Sequence, residues 1–244
     1  MNIEVKISVK PIDYIKSMNI LEQRVRDVSM GKKDEFLWIL EHHPVYTAGT
    51  SSKNVDLLDK NLKVIKTNRG GKHTFHGPGQ KIVYFVLDLN KREKDIRKLV
   101  SNIEYCIIEV LDVYKITSYP DKKNIGIWVG NKNNLKKIAA IGIRVKKWIA
   151  YHGFALNVCN DLSKYNGIVP CGIRDKGITN LKKMGITKYN NIEEIIIKKF
   201  VSLSLIFLLK RLMNSLLNSK LTFLSVISFV KLIKVLYLLN FETV

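Results

Sequence analysis

Helical periodicity appears in only a few stretches of this chain, and the intervals between them hold short extended runs without regular alternation. Tyr14, Met18, Leu21, Val25 and Val28 recur at helical spacing and predict an amphipathic helix over about 13–30. Ile96, Leu99, Val100, Ile103, Cys106, Ile107 and Val110 form the apolar stripe of a second helix. A short third helix is expected near Ile192–Phe200. Phe36–Leu40 reads as a short buried strand that ends in a turn at Glu41-His42-His43-Pro44. Leu62–Thr67, Ile82–Leu89, Ile125–Val129, Lys137–Val145, Trp148–Ala150 and Phe154–Val158 read as extended, with turns or bulges at Gly130-Asn131 and Tyr151-His152-Gly153. Helices scattered among so many strands predict an α+β fold with a mixed, largely antiparallel sheet and flanking helices.

Length sets the outer bounds. A chain of 244 residues holds one or two domains. Composition changes near residue 200, so a main domain over 1–200 and an extension over 201–244 are expected. The extension is rich in Leu, Ser, Phe and Ile and carries five basic residues against one acidic. Its longest charge-free run, Leu221–Val230, is about half of what a bilayer crossing requires, so no integral span is expected. The net charge is +20, from 41 Lys and Arg against 21 Asp and Glu, and such a field favours acidic partners. The lysines are diffuse and no basic face interleaved with aromatics stands out, so nucleic acid is not the expected partner. Three cysteines without a CxxC pair, and a start Met-Asn-Ile-Glu-Val-Lys with no signal segment, predict a reducing cytoplasm.

Residues 69–80 read Arg-Gly-Gly-Lys-His-Thr-Phe-His-Gly-Pro-Gly-Gln, with four glycines and a proline in twelve positions. Glycine lets another molecule approach the backbone, and a bare turn needs far fewer of them. A binding loop is expected here. A Walker phosphate loop is excluded, because His73 follows Lys72 where Ser or Thr is needed and the next element is a strand. The missing helix also excludes a dinucleotide fingerprint. His73 and His76 lack a carboxylate or third ligand at a recognisable spacing, so no metal site is expected. Cys171, between Pro170 and Gly172, sits on a turn that can present a thiol to a pocket; a buried, inert thiol is the competing reading. Cys106 belongs to a helical stripe and reads as core. Lys137 opens a strand with small residues, and a lysine beside a thiol can stabilise the thiolate and exchange a proton with an amine.

Taken in order, Glu41–Thr47, Arg69–Gln80, Lys137–Arg144, Tyr151–Asn157 and Val169–Ile173 resemble five blocks of the octanoyltransferases of lipoate biosynthesis. The resemblance covers about residues 10–200. It implies a fold similar to that of biotin and lipoate protein ligases. The implied reaction moves octanoyl from octanoyl-acyl carrier protein to a lysine of lipoyl domains, those of 2-oxoacid dehydrogenases and the glycine cleavage H protein, without a cofactor. Cys171 would then be the acyl-thioester nucleophile and Lys137 the partner that lowers its pKa. Arg69, Gly70, Gly71, Lys72, His73, Thr74, Phe75 and His76, with Ala140, Ile141, Gly142, Gly153, Phe154 and Ala155, would line the acyl and pantetheine site. Two departures stand out: Lys72-His73 replaces the usual Gln-Val, and Val83-Tyr84-Phe85 replaces Gly-Tyr-Pro. An ATP-dependent ligase of the same fold is the neighbouring alternative.

Overall fold

The computed structural model describes residues 2–131, 134–173 and 176–203, with Cys171 described by its backbone alone. The chain divides into Met1–Phe200 and Val201–Val244. Beyond residue 203, the expected extension lies outside the described residues.

The first unit is built on one large sheet. Its strands are β1 (Ile3–Ile7), β2 (Glu35–Leu40), β6 (Gln80–Asp88), β7 (Ser118–Pro120), β8 (Ile127–Val129), β9 (Lys136–Lys146), β10 (Ile149–Asn157) and β11 (Gly177–Ile178). They run in the order β1-β2-β6-β10-β9-β8-β7, with β11 beside β9. The β1–β2 and β9–β11 pairs are parallel and the other pairs antiparallel, giving a mixed, largely antiparallel sheet. A second sheet orders β4 (Val64–Lys66), β3 (Val45–Ala48) and β5 (His73–His76).

Helix α1 (Tyr14–Ser29) starts where the Asp13 side chain accepts from the Lys16 N–H, which satisfies one orphan donor of the first turn. Its Leu21, Val25 and Val28 pack on Phe36, Trp38, Ile82, Tyr84 and Tyr151 of the large sheet. Helix α2 (Ile96–Val113) is capped in the same way by Asp95 and buries Leu99, Ile103, Cys106, Ile107 and Val110. Burial pushes the Cys106 thiol up to about 12, so this cysteine is core and unreactive. Residues 192–203 are helical and form α3. Its Phe200 meets Phe85, a neighbour of Tyr84 that alternation places on the sheet's other face.

Two sequence expectations differ from the structure. Residues 69–80 are not one loop, because His73–His76 forms β5 and pairs with β3. Four residues reading His-Thr-Phe-His carry no apolar alternation, so only a partner strand distant in sequence makes them extended. Tyr151-His152-Gly153 is neither turn nor bulge, since it lies in the unbroken register of β10 with β6 and β9. The turn is two residues long and falls at Lys147-Trp148, both at positive φ (50° and 62°), as a tight hairpin requires. Gly153 is needed for close approach instead: a Cβ there would collide with the Val83 carbonyl oxygen.

One buried ion pair ties β2 to the end of β6. Arg92 donates to both oxygens of Glu35, and Glu35 Oε1 also accepts from the Asp88 N–H at 2.7 Å. Both side chains are buried. Glu35→Ala would leave the guanidinium uncompensated and is expected to cost about 3–5 kcal/mol, measurable by urea unfolding. A loss below about 1 kcal/mol would show that water reaches Arg92.

Candidate active site

The segment after β4 is held by its own arginine. Arg69 Nη2 donates to Thr47 Oγ1 (2.7 Å), the Thr47 carbonyl (3.1 Å) and the Lys72 carbonyl (2.9 Å). Gly49 N–H also donates to the Lys72 carbonyl, and Ser51 N–H to that of Gly71. A Cβ on Gly49 would strike the Gly71 carbonyl oxygen, so the two backbones meet only at glycine. This clasp lays the loop on the sheet where Gly142 and Gly153 face each other across β9 and β10. A Cβ on Gly142 would lie 3.3 Å from the Gly70 carbonyl oxygen.

Between loop and sheet lies a cavity of about 560 Å³. Arg69, Gly70, Gly71, Lys72, His73, Thr74, His76, Lys137, Ala140, Ile141, Gly142, Gly153, Phe154 and Ala155 all line it. Phe75 does not. It alternates away from the cavity and packs with Tyr46, Tyr165 and Ile168. Cys171 lies in the short 3-10 turn Pro170–Gly172, and the following Gly172 and Ile173 line the cavity. Gly172 has φ +67°, and the Lys72 side chain abuts it. The sequence reading missed Tyr84, His152, Ile96, Val100 and the Lys123-Asn124-Ile125 segment as lining residues. Ile96, Val100, Ile125, Ile141 and Ile143 give the cavity an apolar wall suited to an aliphatic chain.

The histidines at this site are uncharged at neutral pH. His42 Nδ1 donates to the Ile12 carbonyl while Nε2 accepts from the Tyr84 hydroxyl, both at 2.8 Å; burial lowers its pKa to about 4. His76 Nδ1 donates to Gln80 Oε1 at 2.7 Å, and burial lowers its pKa to about 3. His152 donates through Nε2 to Asn68 Oδ1 at 2.9 Å, and burial beside Arg69 and Arg144 lowers its pKa to about 3. It holds φ +67° inside a strand, a strain of about 1–3 kcal/mol that its surroundings must sustain. Burial lowers the His73 pKa as well. Among the described residues, no group of three His, Cys, Asp or Glu side chains could hold a metal ion.

Lys137 is the unusual member. It is 4% exposed, yet among the described residues no carboxylate pairs with it. Its Nζ donates to the Ile125 carbonyl at 2.9 Å and sits 4.7 Å from the centre of the Trp128 ring. A buried lysine without a carboxylate partner costs stability, which makes Lys137 a candidate for chemistry. The site therefore offers a buried lysine, glycine-lined backbone and an apolar wall.

Comparison with known proteins gives the family and the fold. Residues 13–201 match the model of the lipoyl protein ligase A/B catalytic domain. Octanoyltransferase from Ehrlichia ruminantium (strain Gardel) is 45% identical over 198 residues, which is 80% of this chain and 95% of that protein. The Anaplasma phagocytophilum octanoyltransferase is 48% identical over 76% of this chain and 90% of its own length. Among solved structures, lipoate-protein ligase A bound with ATP superposes with a TM-score of 0.62 at 15% identity, over 82% of this chain and 85% of that one. A bi-partite lipoate protein ligase from Thermoplasma acidophilum gives the same score and identity over 83% and 84%. The chain belongs to the lipoyl protein ligase A/B catalytic domain family and, within it, to the octanoyltransferases, the acyltransferases of lipoate biosynthesis.

Proposed function

We propose that residues 1–200 move an octanoyl group from octanoyl-acyl carrier protein to a lysine of lipoyl domains through a thioester on Cys171. In the first step the Cys171 thiolate attacks the donor carbonyl. The new C–S bond replaces the one to pantetheine, and the departing thiolate takes a proton from the Lys137 ammonium. In the second step the acceptor lysine attacks as a neutral amine and passes its excess proton to Lys137. The Cys171 thiolate then leaves, and the ammonium–thiolate pair is restored.

One thioester becomes another in the first step, so it is nearly isoenergetic and needs no cofactor. Backbone N–H groups at the glycine-rich turns are the expected oxyanion donors, typically worth about 3–4 kcal/mol each. The observation that carries this reading is the buried Lys137, with no carboxylate partner among the described residues, on the cavity that the Cys171 turn also borders. The +20 charge suits docking of an acidic carrier protein in the cytoplasm. Acceptors of the stated chemistry are lipoyl domains of 2-oxoacid dehydrogenases and the glycine cleavage H protein.

Incubation with octanoyl-acyl carrier protein is expected to add one octanoyl group, seen by intact mass and removed by hydroxylamine. Cys171→Ala is expected to abolish the adduct. Persistence of the adduct in that variant would remove Cys171 from the mechanism, and strict dependence of transfer on ATP would assign the chain a ligase reaction instead.

A further inference from the structure

Lys137 stands directly opposite Trp128 in the β8–β9 pairing, beside a register shift between Ile127 and Trp128. Such irregularities re-aim side chains. Here the shift lays the ammonium over the indole, at 4.7 Å from the ring centre. The indole is itself fixed, because Trp128 Nε1 donates to the Asn124 carbonyl at 2.9 Å. Asn124 is in turn bound through Nδ2 to Asp121 Oδ2 at 3.0 Å. The chain then passes so close to Lys137 that only glycine fits at 126. A Cβ there, at φ +134°, would lie 2.7 Å from the Ala139 carbonyl oxygen and 3.2 Å from Lys137 Nζ.

We propose that the 125–128 segment, with Trp128 at its centre, is the positioning group of Lys137, holding its ammonium in place without neutralising it. The inference rests on the role proposed above for Lys137. A carboxylate partner would hold the lysine equally well but cancel most of its field. A carbonyl dipole and a ring face attract the cation while leaving its full charge to act on a thiolate or oxyanion. The charges nearby are arranged to the same end. Lys176 lies over the same indole at 4.7 Å, and Asp121, the nearby carboxylate, pairs with Lys176 at 3.1 Å rather than with Lys137.

The test is the pH profile of Cys171 alkylation by iodoacetamide, followed on its peptide by mass. This reads the thiolate without requiring acyl transfer. Other titratable groups around this end are Asp121, Glu104 of α2, Lys72, Lys123, Lys176 and His73. Burial moves His73 downward, away from the window of pH 6.5–9, and the modified peptide reports the thiol itself. Trp128→Leu is expected to raise the apparent thiol pKa by about half to one unit, and to lower alkylation at pH 7 by about three- to tenfold. It should lower kcat and leave the KM for octanoyl-acyl carrier protein within about twofold. Trp128→Phe keeps a ring face and should recover most of the effect.

Trp128→Met removes the ring face while keeping an apolar side chain of similar reach, and serves if Trp128→Leu does not fold. An unchanged thiol profile in the folded variants would overturn the inference and leave Trp128 a packing residue. Absence of any octanoyl adduct on wild-type Cys171 would instead overturn the underlying reading, so the two failures are distinct.

Discussion

Lys137→Met is expected to lower kcat for octanoyl transfer by about 10²–10⁴-fold, the usual range for a lost proton-transfer group. The KM for the donor should change little, because the substitution removes charge from the reacting atoms rather than from the apolar wall. Both steps of the proposed mechanism move a proton through Lys137, so both slow together. Methionine copies most of the length of the lysine stem, and removing a buried cation with no carboxylate partner among the described residues is expected to leave unfolding free energy equal or higher. Lower activity with undiminished stability is the signature sought, with single-turnover mass spectrometry and urea unfolding as the two measurements. A loss of less than tenfold would take Lys137 out of the chemistry.

The second large effect concerns acid. His42, His76 and His152 are held neutral by burial, with pKa values of about 4, 3 and 3 against 6.5 when unfolded. The folded values lie below the unfolded one, so between them the unfolded chain binds more protons and stability falls as pH falls. The stabilisation is complete above about pH 6.5 and is lost progressively below it. At pH 5 each histidine accounts for about 2 kcal/mol, or roughly 6 kcal/mol for the three, comparable to the whole stability of many domains. Urea midpoints between pH 7.5 and pH 5 are expected to drop steeply, and less steeply in His76→Gln. An unchanged midpoint across that range would mean the imidazoles reach water in the folded protein. Activity should follow the same decline, since His76 and His152 line the cavity.

Much of this site was legible along the chain because its pieces are local. The glycines of 69–79 announce close backbone approach, and Pro170-Cys171-Gly172 announces a thiol on a turn, whatever the fold. Helices α1 and α2 were legible for the same reason, since a buried face at helical spacing is a short-range pattern. Strand β5 was not, because His73–His76 becomes extended only by pairing with Val45–Ala48. The Tyr-His-Gly triplet of β10 was misread because glycine signals both turns and close approach. Only the Val83 carbonyl beside Gly153 distinguishes the two.

Sequence by itself determined the inventory: the α+β class, the cysteine on its turn, the glycine loop, and a lysine opening a strand of small residues. Tertiary structure decided which lysine among so many is buried, that a ring and a carbonyl hold it in place of a carboxylate, and that Lys72 reaches the Gly172 turn. It also separated His42, His76 and His152 from solvent and so set their charge. The reason is physical. Propensity and turn chemistry act over a few residues, whereas desolvation and charge pairing depend on neighbours that only the folded chain assembles from distant segments.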